Sequence, residues 1–454
     1  MSKSTHPAAT SVGFISLGCA KNLVDTQIMA GALLEDGLVL APAPEQADVV
    51  VVNTCAFIKD ARDESADAIR SACDLKAAGR CRAVIVAGCL PQRDRAAVTE
   101  RFPAVDAVVG VDALRDLGAV IRRIGQGESG ISEVTARSTR LFDPGRRLVV
   151  LSGGPYAYLK VAEGCNHLCA FCAIPGIRGR YRSRPMPHVV REAERLLEAG
   201  CRELNLVSQD TTAYGADLPG RQRLADLIRA LGRIGGKFWI RFLYGYPTRV
   251  TGELLAAMGE TPGVCRYLDV PVQHADPAVL RAMRRADTVE AVAKLPDRVR
   301  EALPGAALRT TCLIGHPGET EAGFRRLLRY AEESRFDHLG AFVFSPEDGT
   351  PAANMPGRPA AATAERRRAR LLEKQWSVVR ETARRMVGQR VEVLLEKRDG
   401  AGKGEWVARS QGQAPEVDGV TFVRGVPPTA KAGDFAQVRI TAAKDYDFDA
   451  AWVL

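Results

Sequence analysis

Three cysteines, Cys165, Cys169 and Cys172, fall within eight consecutive residues of the stretch "EGCNHLCAFCAIPGIRGRYRSRP". Thiolates are the preferred ligands of iron–sulfur clusters. Structural zinc sites are instead closed by four ligands, and the nearby His167 sits between two of the cysteines, where the chain is too short to close a tetrahedron comfortably. The spacing therefore favours a cubane cluster held at three corners, with one iron open to a small molecule. A Cys3His zinc site is the alternative.

A second set of three cysteines is spread along the N-terminal part of the chain. Cys19, Cys55 and Cys89 end the segments "SLGC", "NTC" and "AGC", each at the end of a predicted parallel strand. Ligands of open parallel sheets gather at the carboxyl ends of the strands. The pattern predicts a second cluster with an open iron, and three unrelated buried cysteines are the alternative.

The elements around these cysteines predict three folded parts. Up to about residue 124, β-branched apolar runs alternate with helix-like segments, which indicates a doubly wound α/β domain with a parallel sheet. From residue 156, six further strands alternate with helices, as in a partial (β/α)6 TIM barrel whose site lies at the carboxyl ends of the strands. A long basic helix and a short tail of alternating strands follow, and the tail suits a small OB-like β-barrel. The predicted boundaries are 11–126 for an N-terminal cluster-binding domain, 127–150 for a linker, 151–387 for the core domain and 388–454 for the C-terminal barrel.

Composition limits the class of protein. The 454 residues are 46% hydrophobic and 26% charged, as in an ordinary globular protein. The N-terminal stretch has no apolar signal region, and the longest aliphatic run is "VVVV" at 49–52. The sequence therefore predicts a cytoplasmic protein with no membrane partner, in which eleven cysteines are metal ligands or core residues and not a disulfide scaffold.

Long motifs in this sequence resemble the methylthiotransferase family of radical S-adenosylmethionine (SAM) enzymes. The resemblance covers nearly the whole chain, including a C-terminal TRAM domain. It is carried by "SLGCAKNLVDTQ", "EGCNHLCAFCAIPGIRGRYRSR", "LDVPVQHADPAVLRAMRR" and "SPEDGTPAA". "GCAKNLVDTQ", "YAYLKVAEGCNH" and "LYGYPTR" are more similar to the protein-modifying RimO type than to the transfer-RNA-modifying MiaB type, which tends to have a "GCQMN" form.

The resemblance implies a transferase with two 4Fe–4S clusters. The cluster at Cys165, Cys169 and Cys172 would cleave SAM reductively to a 5′-deoxyadenosyl radical. The cluster at Cys19, Cys55 and Cys89 would present a sulfur that a first SAM methylates. The methylthio group would then pass to the β-carbon of an aspartyl residue of ribosomal protein S twelve. The implied partners are that protein, free or within the 30S subunit, and an electron donor of the flavodoxin or ferredoxin class, and the chain is expected to be a monomer.

Four residues are candidates for binding SAM. Gln209 and Asp210 follow a predicted strand in "VSQD", where they can bind the SAM amino group or ribose or can simply cap the strand end. Gly315 and Gly318 lie in "CLIGHPGET", where a glycine turn lets backbone N–H groups approach a ligand, and a plain turn capped by Glu319 or Thr320 is the alternative.

Other residues have weaker signals. His274 ends a strand and can face the cavity or be structural, and Phe171 can shield the cluster or be plain core. A run of arginines after the cysteines can hold the SAM carboxylate or substrate, or can be a solvated surface. The run comprises Arg178, Arg180, Arg182 and Arg184. The five remaining cysteines are expected to be core residues: Cys73, Cys81, Cys201, Cys265 and Cys312.

The charge of the tail bears on the substrate. Residues 388–454 hold nine basic and ten acidic residues, whereas an RNA-binding barrel should be clearly basic. A near-neutral tail suits a basic ribosomal protein better. The basic helix at 363–387 can touch ribosomal RNA or can be a solvated face. Two other hypotheses stay open, methylthiolation of a transfer-RNA adenosine and a non-catalytic iron–sulfur sensor bound to ribosomes.

Overall fold

A computed structural model of the chain describes residues 10–143, 145, 148–220, 222–399 and 405–453. The N-terminal residues 1–9, the linker residues Pro144, Arg146 and Arg147, and Lys403 of the tail lie outside the described residues. The chain forms two compact units. One comprises residues up to Leu151 with 162–167 and 172–184, and the other comprises 152–161, 168–171 and 185 onward. Within the described ranges, no helix is long and apolar enough to cross a membrane.

The secondary structure follows the predicted alternation of strands and helices. The strands are β1 Ser11–Ser16, β2 Val39–Leu40, β3 Val49–Thr54, β4 Ala83–Gly88, β5 Ala107–Val109, β6 Ile131–Glu133, β7 Tyr156–Lys160, β8 Ala162–Glu163, β9 Arg182–Ser183, β10 Glu203–Val207, β11 Trp239–Phe242, β12 Tyr267–Asp269, β13 Ala307–Ile314, β14 His338–Val343, β15 Arg390–Arg398, β16 Trp406–Ser410, β17 Thr421–Arg424, β18 Phe435–Lys444 and β19 Asp447–Trp452. The helices are α1 Ala20–Glu35, α2 Lys59–Ala77, α3 Cys89–Arg93, α4 Arg95–Arg101, α5 Leu117–Gly125, α6 Ile174–Arg178, α7 Met186–Glu198, α8 Leu224–Leu231, α9 Gly252–Glu260, α10 Pro277–Ala282, α11 Val289–Ala302, α12 Glu321–Ser334 and α13 Ala361–Met386.

The first unit is built on a parallel sheet of six strands in the order β2-β1-β3-β4-β5-β6. Every residue of β3 and β4 is buried, because separate hydrophobic cores cover the two faces of the sheet. The prediction of a doubly wound α/β domain is confirmed. Two short strands differ from the prediction. The sequence pattern did not single out β2, which pairs with β1, and β6 lies within the predicted linker and pairs with β5. Three residues that include a serine and a glutamate carry too little pattern to be read as a strand.

The second unit contains the predicted partial barrel. Its strands form two parallel sheets, β11-β10-β7 and β12-β13-β14, and a bridge between Ile240 and Val264 lies between them. Burial alternates along β13, because one side of this strand packs on outer helices and the other faces the barrel interior. The six strands and their helices confirm the partial TIM barrel, with α9 and α11 as helices that the sequence pattern did not single out.

The chain ends in a small closed barrel of five strands in the order β15-β16-β17-β19-β18. This confirms the predicted OB-like barrel. Its β16–β17 loop lies against the first residues of the (β/α)6 strands, where the hydroxyl of Tyr158 donates to Glu416 (2.9 Å) and that of Tyr267 to Asp418 (2.7 Å). The loop therefore covers the end of the partial barrel opposite to the carboxyl ends of its strands.

Candidate functional site

The N-terminal cysteines lie side by side at the carboxyl edge of the first sheet. Cys55 and Cys89 directly follow β3 and β4, and Cys19 follows β1 by three residues. These three strands are neighbours in the sheet, so the sequence pattern placed the three thiols at one edge correctly. Cys89 is 8% exposed, Cys55 is partly buried, and Cys19 reaches solvent.

Buried polar side chains hold these strand ends together. The amide of Asn22 donates to the carbonyl oxygens of Leu17 (2.8 Å) and Thr54 (3.1 Å), just before Cys19 and Cys55 in the chain. The Ser65 hydroxyl accepts from the backbone N–H of Cys55 (3.1 Å) and donates to its carbonyl oxygen (2.9 Å). The loops that carry the thiols are therefore fixed by the protein itself.

Glycine at position 18 leaves the space in which the Cys55 side chain sits. Gly18 has φ +88°, and a Cβ at this position would lie 2.7 Å from the Cβ of Cys55 and 3.1 Å from its sulfur. Such contacts are closer than van der Waals distance. A side chain at Gly18 would therefore displace the Cys55 thiol.

Arg178 reaches the same site from α6 and is 2% exposed. Its Nη2 donates to the sulfur of Cys89 and to Oδ1 of Asn22, both at 3.1 Å. Its Nη1 lies 2.8 Å from Asp25 Oδ2 and 3.1 Å from Glu163 Oε2. The reading of this arginine as a solvated surface residue is wrong, because two carboxylates, an amide and a thiol surround it.

The other three arginines of the run behave differently from one another. Arg182 donates to the carbonyl oxygens of Arg180 (2.6 Å) and Arg140 (2.9 Å). Arg184 is 2% exposed and donates from Nε to Asp143 (2.7 Å). Arg180 is the one exposed residue of the four. Arg182 and Arg184 therefore fix loops of the first unit. Only Arg180 fits the alternative of a solvated surface residue.

Burial and neighbouring charges act on the acidity of the N-terminal thiols. Burial raises the pKa of Cys89 to about 12 despite the nearby Arg178, and burial also raises the pKa of Cys55. Desolvation of the sulfur acts to raise the pKa of Cys19 too, but the charges of Lys21 and Arg178 outweigh it and hold this pKa below its ordinary value. A metal bound to these sulfurs would have to displace the protons.

The second cysteine set lies on the loop after β8. Cys165 and Cys172 belong to the first unit and Cys169 to the second, and all three are partly exposed. The backbone N–H of Cys165 donates to the carbonyl oxygen of Gly179 (3.1 Å), and its sulfur accepts from the backbone N–H of His167 (3.4 Å). Among the described residues, no three Cys, His, Asp or Glu side chains are grouped closely enough to hold a single metal ion.

In the second unit, Cys169 is flanked by a buried cation and an apolar wall. Arg285 is 5% exposed, its Nη1 lies 3.7 Å from the Cys169 sulfur, and its guanidinium lies 4.4 Å from the ring centroid of Tyr246. The residues after Cys169, Ala170 and Phe171, pack with Phe344 and other apolar side chains. Sequence reasoning missed Arg285, and its position in the motif "LRAMRR" was the only signal for it.

Gln209 and Asp210 lie beyond the end of β10, at the carboxyl side of the barrel where they were predicted. Asp210 is 3% exposed. It accepts a hydrogen bond from the Thr212 hydroxyl (2.5 Å) and lies 3.4 Å from Arg249, which is the pattern of a strand-end cap. Gln209 is partly buried. Their contact with SAM stays a prediction.

The two glycines after β13 have the left-handed backbone that the turn requires, with φ +80° at Gly315 and +89° at Gly318. Their N–H groups already donate within the protein, that of Gly315 to Glu319 Oε2 (2.8 Å) and that of Gly318 to the carbonyl oxygen of Gly357 (3.0 Å). Thr320 caps α12 by accepting from Gly323. This geometry favours the plain turn, and SAM binding by these glycines stays a prediction.

Glu319 sits at the centre of a buried charged group. Arg367 of α13 donates to its Oε1 (2.8 Å), and His274 Nε2 lies 3.6 Å from its Oε2 with both side chains fully buried. His274 is therefore enclosed by protein, and Arg367 is withdrawn from the basic face of α13.

Of the five cysteines outside the two triads, four are buried and Cys73 is partly buried, as expected for core residues.

Family models match three parts of the chain. Residues 11–110 match "Uncharacterized protein family UPF0004", 159–331 match the radical SAM superfamily and 387–453 match the TRAM domain. In the solved structures, the methyltransferase TsrM from Kitasatospora setae, described as a radical S-adenosylmethionine enzyme with cobalamin and a [4Fe-4S] cluster bound, has a TM-score of 0.57 at 15% identity, covering 76% of this chain and 74% of that one. This likeness shows the fold.

Curated relatives cover almost the entire sequence. The ribosomal protein uS12 methylthiotransferase RimO of Syntrophus aciditrophicus is 44% identical over 441 residues, which are 96% of this chain and 97% of that protein. The protein of the same name from Symbiobacterium thermophilum is 45% identical over 440 residues, 96% of this chain and 90% of that protein. The motifs, the three-part fold and this identity together show that the chain belongs to the RimO family of radical SAM ribosomal protein uS12 methylthiotransferases.

Proposed function

We propose that this protein adds a methylthio group to the β-carbon of an aspartyl residue of ribosomal protein uS12. The observation that carries the proposal is the presence of two cysteine triads in a chain that is 44% identical over nearly its full length to a uS12 methylthiotransferase. One triad alone would supply radical chemistry. Two triads, each open at one iron, suit the two tasks of generating a radical and delivering sulfur.

The six cysteines are the proposed ligands of two 4Fe–4S clusters. Cys19, Cys55 and Cys89 hold one cluster, and three soft thiolates at adjacent strand ends suit it chemically. The other cluster is held by the set Cys165, Cys169 and Cys172. When bound, the clusters and SAM supply the cleavage of an unactivated C–H bond and the transferred sulfur.

The protein's own residues prepare the space beside Cys169. Ala170 packs with Phe344 and Ala352, and Phe171, Leu313 and Met355 extend the same apolar cluster. An apolar wall next to a radical site keeps water from the reacting atoms. Gln209, at the carboxyl end of β10, is the proposed polar contact for SAM. Asp210 orients this loop through Thr212 and Arg249.

The C-terminal barrel supports a protein substrate over an RNA substrate. Residues 388–454 hold nine basic and ten acidic residues, and neutralising phosphates requires a clear excess of positive charge. Its Arg409, Glu416 and Asp418 are engaged with the partial barrel. A near-neutral surface complements a basic ribosomal protein better than it complements a transfer RNA.

Further parts of the proposal follow from this chemistry. Reductive cleavage of SAM needs one electron at a time, so the partner is a low-potential carrier of the flavodoxin or ferredoxin class. The protein acts as a monomer on uS12, either free or within the 30S subunit. Its place of action is the cytoplasm, where ribosomal subunits are assembled.

Mass spectrometry of ribosomal proteins tests the proposal. A strain without this gene should contain uS12 that is lighter by one methylthio group. The wild-type gene should restore the mass, and a Cys89→Ala variant should not. Unchanged uS12 in the deletion strain, with loss of a methylthioadenosine from its transfer RNA, would overturn the proposal in favour of an RNA substrate.

A further inference from the structure

Arg178 is one of the largest fully buried side chains of the chain, and its position is unusual for a cation. It carries its charge into the site where Cys89 ends β4, with Nη2 3.1 Å from the Cys89 sulfur. Burying a guanidinium is unfavourable unless it is fully paired. Such a residue is therefore expected to have a task at this site.

The partners of Arg178 fix which of its N–H groups faces the sulfur. Asp25 and Glu163 both bind Nη1, while Nη2 is directed to Cys89 and Asn22. A planar guanidinium can serve both sets at once, whereas a lysine ammonium offers a single point of charge. The two carboxylates thus hold the guanidinium in place and leave its second nitrogen to the thiol.

Hydrogen bonds to the ligand sulfurs are among the factors that set the reduction potential of an iron–sulfur cluster. One-electron reduction makes a cluster and its three thiolates more negative by one charge. An N–H donor and a buried cation beside one thiolate stabilise the reduced form more than the oxidised form, and so they raise the potential.

We propose that Arg178 is a positioning residue that raises the reduction potential of the N-terminal cluster by donating an N–H···S hydrogen bond to Cys89. The inference rests on the proposed function, because it takes Cys89 as a cluster ligand. Arg178 would then help to set the redox state of that cluster from α6, a helix that follows the other cysteine triad in the chain. Glu163, two residues before Cys165, is held by the same guanidinium.

The test uses the full-length chain with Cys165, Cys169 and Cys172 replaced by alanine, so that the N-terminal cluster alone is observed. Arg178→Gln and Arg178→Lys are added to this background, and anaerobic titration with dithionite as electron donor is followed by electron paramagnetic resonance. At a fixed ambient potential we expect the ratio of reduced to oxidised cluster to fall about tenfold in Arg178→Gln, equivalent to about 59 mV for a one-electron couple. Arg178→Lys should shift less because it keeps the charge.

Arg180→Gln is the matched control, because it removes an arginine charge two residues away that is exposed. Its potential should equal that of the parent. If both Arg178 variants retain iron and titrate at the parental potential, the inference is overturned. A parent that binds no iron would instead overturn the proposed N-terminal cluster itself, so the two failures are distinguishable.

A second measurement leaves Arg178 in place. The same cysteine-depleted parent, labelled with 15N-arginine, should show a weak 15N hyperfine coupling to the reduced cluster in pulsed electron paramagnetic resonance. This coupling should persist in Arg180→Gln. Its absence from the parent would contradict a hydrogen bond between Arg178 and the cluster sulfur.

Discussion

Glu203, the first residue of β10, and Arg409 of β16 form an ion pair with a 2.6 Å separation in which neither side chain is more than 1% exposed. Arg241 of β11 donates to the same carboxylate at 2.8 Å. Burial acts to raise the pKa of Glu203, but the charges of Arg409 and Arg241 outweigh it and hold this pKa below its usual range. Glu203 is therefore ionised at neutral pH, and buried charges fasten the C-terminal barrel to the base of the partial barrel.

Replacing Arg409 with alanine should destabilise the protein strongly. The substitution removes the partner of a buried carboxylate, a change that typically costs about 3–5 kcal/mol. It also leaves Glu396, the second acceptor of Arg409 (2.6 Å), without this donor. The free energy of unfolding, measured by urea titration of matched anaerobic samples, should fall by about that amount.

Arg424→Ala provides the control within the same barrel. Arg424 also pairs with a carboxylate, that of Glu405, but its side chain is 66% exposed. Exposed pairs contribute about 0–1 kcal/mol. Equal losses of stability in the two variants would contradict the idea that the buried pair fastens the two barrels.

Arg285→Gln should slow the cleavage of SAM. The guanidinium of Arg285 lies beside the Cys169 sulfur, and loss of such an outer partner of a metal ligand typically costs about 10- to 100-fold in activity. The rate of 5′-deoxyadenosine formation from SAM and dithionite is the measurement. Arg284→Gln is the matched control, since this neighbouring arginine is exposed. A rate in Arg285→Gln equal to that of the control would exclude the role.

The position of Cys19, Cys55 and Cys89 at one sheet edge was predictable from sequence, whereas the buried arginine beside them was not. Strand-end position and the spacing of three thiols are local patterns, and they placed Cys19, Cys55 and Cys89 at one sheet edge. In "IRGRYRSR", by contrast, nothing local distinguishes the buried Arg178 from the exposed Arg180. The difference arises from partners 15 and 89 positions away in the chain.

The packing of the C-terminal barrel could not be predicted either, because it also depends on residues that are far apart in the chain. Its strands could be read from their alternation, but its attachment depends on Glu203 and Arg409, which are 206 positions apart.

The turn at Gly315 illustrates a different limit of prediction from sequence. A glycine turn after a strand predicts either a ligand cradle or a plain turn, and only the position of the Glu319 carboxylate, which accepts from the Gly315 N–H, distinguishes the two.

Iron analysis should reveal two independent clusters. Anaerobic wild-type protein should bind about eight irons, and replacing Cys165, Cys169 and Cys172 by alanine should reduce this to about four. Replacing Cys19, Cys55 and Cys89 should have the same effect. Cys201→Ala, at a buried cysteine outside both sets, should retain all the iron. Loss of all iron from either triple variant would show that the two sites do not form separately.

Gly18→Ala should remove the N-terminal cluster alone. The new Cβ would lie 2.7 Å from the Cβ of Cys55, which is backbone-anchored and cannot rotate away, so the thiol must shift from its place beside Cys19 and Cys89. We expect iron to fall from about eight to about four per chain, with formation of 5′-deoxyadenosine from SAM retained.

The Gly37→Ala variant distinguishes the steric clash with Cys55 from the backbone strain that any alanine with a positive φ carries. Gly37 has φ +81°, close to the +88° of Gly18, but nothing lies within 4 Å of its added Cβ. Both alanines therefore carry the left-handed strain of about 1–2 kcal/mol, and only the one at position 18 meets Cys55. If Gly37→Ala binds the full amount of iron and Gly18→Ala binds half, the loss of iron is due to the displaced Cys55 thiol. Full iron in both variants would mean that the position of Cys55 is not needed to hold a cluster.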